Sequence, residues 1–138
     1  MDRYDPEITP DAKAWLGLEE TEQQRLVERY HRKTKTPLPN LAIHAVIHVL
    51  VETQLALREP PNVVTTFERL MFDGLSRHEA IHAIGSVNSE HLFRALQDGT
   101  EPSLDNYAAD LNKLTADSWL AEYGDDEDDD AEFEDDEE

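Results

Sequence analysis

The stretch NLAIHAVIHVLVE, Asn40 to Glu52, decides the fold, together with its counterpart SRHEAIH, Ser76 to His82. His44 and His48 are four residues apart, and so are His78 and His82. An α-helix turns once every 3.6 residues, so each pair lies on one helix face, one turn apart. With His44 as origin and 100° per residue, Leu41, His48, Val51, Glu52 and Leu55 all fall within about 80° of it. The imidazoles therefore sit on an apolar face. Ile43, Val46, Ile47, Val49 and Leu50 make the rest of this helix apolar, which predicts a central position.

Working outward, Asn40 is the expected cap of this helix, which runs from Leu41 to about Leu57 and stops before Pro60-Pro61. Upstream, Thr9 as N-cap and Pro10 as first helical residue predict a short helix over Ala12 to Leu16, ended by Gly17. Leu18 to Lys33 reads as a second helix with Leu26, Val27 and Tyr30 as its stripe, stopped by Pro37 and Pro39. His31, among Arg29, Arg32, Lys33 and Lys35, is expected at the surface.

Downstream, Asn62 to Phe72 is expected to bury Val63, Phe67, Leu70 and Met71 and to close at Asp73-Gly74. Ser76 opens a helix from Arg77 to about Asp98, ended by Gly99. On it His78, His82, Gly85, Leu92, Phe93 and Leu96 share one face and are expected in the core, while His91 points elsewhere. A last helix, Leu104 to Tyr123, offers Tyr107, Leu111, Leu114, Trp119 and Leu120, and Gly124 ends it. No run alternates with a period of two, so no strand is expected. The prediction is an all-α, small antiparallel bundle of about five to six helices over residues 1–124. Residues 125–138 form an acidic tail.

Charge narrows the partners. The chain of 138 residues carries a formal charge of -20. Twelve acidic residues and no basic one lie between Asp125 and Glu138, which leaves -8 on residues 1–124. That sign repels phosphate backbones, so no nucleic-acid partner is expected. So charged a tail is expected to be disordered, and Phe133 within it suggests a docking peptide for a basic protein. No apolar stretch reaches the roughly 18 residues that span a bilayer, and no signal peptide is recognisable, so a cytoplasmic location is expected. Cysteine is absent, which removes thiolate metal sites and disulfides.

Two imidazoles per helix is the spacing by which a helix offers a metal two ligands. His44, His48, His78 and His82 are the expected ligands of one divalent transition metal: zinc, iron, nickel or manganese. Glu52 and Glu90 are candidates for a further ligand or an outer hydrogen-bond acceptor. The alternative is an interaction or structural module whose buried histidines are satisfied by Glu52, Glu79, Glu90 and backbone carbonyls. A third reading takes H-E-A-I-H as the zinc-protease pattern, with Glu79 as the weak catalytic candidate. Against it, Ser76-x-x-Glu79 is a capping box in which Glu79 bonds back to the helix start. Asn88 also stands where a third histidine would be wanted. Whether the chain is an enzyme is left open by these patterns.

The run LPNLAIHAVIHVLVETQL, Leu38 to Leu55, and the run RLMFDGLSRHEAIHAIGSV, Arg69 to Val87, resemble a bacterial domain-of-unknown-function family, number 1841. The resemblance covers about Leu18 to Leu96, and both histidine pairs, Glu52, Gln54 and Glu90 fall on its pattern. It implies a bacterial helical domain and carries no activity over. The family's pattern also admits other residues at the place of Glu79, which speaks against an essential catalytic carboxylate there.

Overall fold

The structure, a computed structural model, describes residues 1–33, 41–101 and 103–121. It is all-α, as expected. Helices α1 (Ala12–Leu16), α2 (Glu20–Lys33), α3 (Leu41–Leu57), α4 (Pro61–Phe72), α5 (Arg77–Asp98) and α6 (Leu104–Lys113) follow in order. A further helical run occupies 116–121. The expected roles of Pro37, Pro39, Asn40, Gly124 and the acidic tail lie outside the described residues. No single helix among the described residues is long and apolar enough to cross a membrane.

Local chemistry sets most helix ends. Ser76 accepts a hydrogen bond from the Glu79 amide at 3.1 Å, and Glu79 accepts one from the Ser76 amide at 2.8 Å. The capping box therefore forms in full. At the other end of α5, Gly99 adopts the left-handed conformation at φ 68° that a side chain resists. Two expected ends shift. Asp11, not Thr9, caps α1, because its carboxylate reaches the Ala14 amide at 2.9 Å. The long last helix is broken in two. Arg69 donates to the carbonyls of Leu111 and Leu114 and satisfies the end of α6. Thr115 and Ser118 then cap each other's amides and start the run at 116–121.

Helix α3 is the central rod and packs against α1, α2, α4 and α5. It separates two apolar clusters. One, built on α4, α5 and α6, contains Val51, Leu70, Ile81, Ile84, Leu111 and Trp119. The other joins Tyr4, Trp15, Leu26 and Val27 to Ala45 and Val49 of α3. Helices α3 and α5 run antiparallel: His44 lies beside His82, His48 beside His78, and Glu52 beside Arg77.

That antiparallel register corrects the expected core of α5. Helix α3 begins only three residues before His44, so the second half of α5 runs on past it. Leu92, Phe93 and Leu96, on the histidine face, are accordingly exposed, Leu96 by 80%. Buried Val87, His91 and Ala95 face the rest of the bundle instead. Met71, Ile43, Val46 and Leu120 are likewise exposed, and Val64 and Thr66 take core places on α4.

Candidate metal centre

The seam between the two apolar clusters is where the imidazoles collect. His44 and His48 come from α3, and His78 and His82 from the first turns of α5. His31 joins them from the end of α2. Ring centroids are 4.8 Å apart for His44 and His48, and 4.2 Å for His78 and His82. Across the helices they are 4.8 Å for His44 and His82, and 5.2 Å for His48 and His78. His31 stands 4.5 Å from His44 and 5.0 Å from His48. Five of the chain's six histidines thus share one small volume.

The expectation that His31 lies at the surface is therefore wrong: it is 3% exposed. It stands one turn beyond Val27, so it continues the buried stripe of Gln23, Leu26 and Val27. Its basic neighbours Arg32 and Lys33 are exposed.

Four of the rings converge on one point. A side-chain nitrogen from each of His31, His48, His78 and His82 lies within 4.8 Å of the other three. Nε2 of His48 and Nε2 of His82 approach to 3.0 Å. Donors held 2.0–2.1 Å from one ion stand about 2.9 Å apart at a right angle and about 3.4 Å apart at a tetrahedral angle. The His48–His82 spacing falls in that range, and the full set, spread to 4.8 Å, would have to close inward around an ion.

Outer partners orient two of these rings. His31 Nδ1 is 2.9 Å from the Val27 carbonyl, which can only accept. His31 Nδ1 thus carries the proton and Nε2 the lone pair. His48 Nδ1 is 3.1 Å from the Tyr4 hydroxyl, which in turn donates to Glu52 Oε2 at 2.5 Å. Glu52 and Arg77 form a two-pronged pair at 2.8 Å on both prongs, with side chains 1% and 5% exposed. Both Glu52 oxygens are thereby engaged. Glu52 Oε2 is joined to His48 through the Tyr4 hydroxyl.

Burial sets the charge state. Desolvation, and then the neighbouring His82, lower His44 from an ordinary 6.5 to about 3. Desolvation lowers His31 to about 4, against a smaller opposing effect of its Val27 bond. His48 and His78 are held well below the ordinary value by the same burial and by the surrounding imidazoles. At neutral pH these four rings are uncharged, the form that binds metal. Nε2 of His44 and Nε2 of His78 are buried and have no hydrogen-bond partner among the described residues. Such orphaned atoms are uncommon in folded proteins.

The remaining candidates fall outside the cluster. Glu90 is exposed and lines a groove with Ser86, Arg94, Asp110 and Lys113 on the α6 side. It sits on the overhanging half of α5, beyond the end of α3. Glu79 is committed to the helix cap. His91 bonds Asp110 at 2.6 Å, away from the other five. Sequence reading also passed over Tyr4 and Arg77. Tyr4 belongs to no helix, so no periodicity marks it, and Arg77 reads as one more charged residue at a helix start.

No curated protein and no solved structure matches the chain. The sequence model of the family described as Domain of unknown function (DUF1841) matches residues 13–113, and the chain belongs to that family.

Proposed function

We propose that this DUF1841 domain is a metal-stapled helical module, in which one transition-metal ion ties α2, α3 and α5 together through His31, His48, His78 and His82. His44 stands at the edge of the set as a fifth imidazole. The observation that carries this reading is the convergence of four ring nitrogens within 4.8 Å in a buried seam. The orphaned Nε2 of His78 supports it, since an ion would satisfy that atom.

The donor chemistry narrows the ion. An all-imidazole, oxygen-free and sulfur-free set suits zinc, copper, iron or nickel, whereas manganese favours oxygen ligands. Four protein ligands close a four-coordinate site, which is the pattern of a structural rather than a catalytic metal. A metalloprotease role is not part of this reading, because Glu79 is spent on the capping box. Elemental analysis of protein purified without a nickel column tests the proposal, with about one equivalent of metal expected. A content below about a tenth of an equivalent, with no thermal shift on adding any of the four metals, would overturn it.

A second reading rests on the 3.0 Å contact of His48 Nε2 with His82 Nε2, which is a hydrogen bond in its own right if one of them carries a proton. In that case the histidines are a polar core that joins helices without an ion. Chelation separates the two: it loosens the metal-stapled domain and leaves the polar core untouched.

A further inference from the structure

The first ten residues contain no helix, yet they are tied down along their length. Arg29 donates to the Asp2 carbonyl at 3.1 Å. Arg77 donates to the Pro6 carbonyl at 2.8 Å, and the Glu7 carboxylate accepts from the His78 amide at 3.3 Å. Between these ties Tyr4 enters the interior, 6% exposed, with its ring against Trp15, Tyr30 and His48. This segment lies upstream of the stretch that the family sequence matches.

The Tyr4 hydroxyl has one proton and faces three polar groups, Glu52, His48 and the Arg77 guanidinium. Glu52 is paired with Arg77 and is a carboxylate, so it can only accept. The phenol proton therefore goes to Glu52, at 2.5 Å. What remains on the Tyr4 oxygen is acceptor capacity; Arg77 can only donate to it, and His48 Nδ1 at 3.1 Å, with no phenol proton left to accept, is a donor as well. A neutral imidazole has a single N–H. With that proton on Nδ1, the Nε2 of His48 is bare and faces His82.

We propose that the N-terminal strap is an outer clamp of the histidine centre, in which Tyr4, anchored by Glu52 and Arg77, holds His48 in the form with a bare Nε2. Tyr4 is a positioning residue: it acts on the centre only through His48. The effect on metal affinity rests on the metal-staple reading, whereas the effect on the His48 proton does not. Outer partners of this kind fix ring orientation and raise ligand basicity. Burial and the Glu52 charge hold the Tyr4 phenol well above its ordinary pKa, so it stays a proton donor throughout the neutral range.

The test uses the full chain and its Tyr4→Phe variant, which keeps the ring and removes the hydroxyl. In metal-free wild type, long-range nitrogen–proton NMR is expected to place the His48 proton on Nδ1. In Tyr4→Phe it is expected to move to Nε2, where His82 is within reach. Zinc affinity, read by competition with a chromophoric chelator, is expected to fall by about 10–100-fold. A wild-type His48 protonated on Nε2 overturns the proposal, and this holds even if the variant fails to fold. So does a folded Tyr4→Phe protein with the tautomer and zinc affinity unchanged. If wild type takes up no zinc, the metal reading falls, and the tautomer alone then decides the claim about Tyr4.

Discussion

Gly85 passes so close to Ile47 that a methyl group on its Cα would stand 2.7 Å from Ile47 Cγ2. This contact fixes how near α5 comes to α3, and the residues that benefit are its neighbours. His82 is one turn before Gly85 and His48 follows Ile47, and their Nε2 atoms meet at 3.0 Å. Gly85→Ala should gain up to about 1 kcal/mol in helix propensity. Overpacking against a stiff β-branched side chain costs about 1–3 kcal/mol, so a net loss is expected. Urea denaturation checks the sign. In an Ile47→Ala background the clash is gone and Gly85→Ala should stabilise; a stabilising effect in both backgrounds would show that the close approach imposes nothing.

The Glu52–Arg77 pair carries a different energetic signature from the helix-surface pairs. Removing one partner by Glu52→Gln or Arg77→Met leaves a buried charge or a broken network, and about 3–5 kcal/mol should be lost. Arg25–Glu22 and Arg32–Glu28 are formed by arginines 61% and 63% exposed. Truncating those arginines should cost at most about 1 kcal/mol. Comparable losses at all three pairs would mean that the interior pair is solvated after all.

How much of this was legible beforehand depends on what kind of signal each residue leaves. The helices and the two histidine pairs have a period, and Ser76, Asp73-Gly74 and Gly99 have a local cap chemistry, so both could be read from the chain. His31 also had a period, one turn beyond Val27, but four basic neighbours masked it. Relative register leaves no trace in a single sequence. Leu92, Phe93 and Leu96 share the histidine face by periodicity, yet nothing local says that α3 ends before it reaches them. Glu90 lies apart from the histidine cluster for the same reason. Tyr4 marks the limit: its place depends on contacts 44 and 48 residues away and on no pattern around it.

The proposed ligand set is separately testable. His31→Gln should weaken zinc binding as severely as His78→Gln, because both rings belong to the converging four. Glu90→Gln and His91→Gln should leave it unchanged, since one is exposed and the other is bonded to Asp110. Isothermal titration of these variants and of His44→Gln decides between this set and the one read from sequence, which has His44 in place of His31 and Glu52 or Glu90 as a further ligand. Loss of binding in His44→Gln or Glu90→Gln with retention in His31→Gln would restore the set read from sequence.

Acid gives the last prediction, and its sign follows from where protons bind. In the folded metal-free domain His31 and His44 stay neutral down to about 4 and about 3, against 6.5 for an ordinary ring. Above 6.5 neither the folded nor the unfolded chain protonates them, so stability does not change with pH on their account. Below 6.5 the unfolded chain takes up protons that the folded one refuses. Each such ring then lowers stability by about 1.4 kcal/mol per pH unit until its folded pKa is reached. His48 and His78 shift in the same direction and add to the slope. The melting temperature of metal-free protein should therefore be level from pH 8 to 6.5 and fall steeply from there to pH 4. Zinc in excess should raise the whole curve, because it binds the folded form alone, and should move the fall to lower pH, where protons displace it. Chelator should return the metal-free curve. A melting temperature that stays level down to pH 5 without metal would contradict the burial of neutral imidazoles, and with it the preformed site on which the metal staple depends.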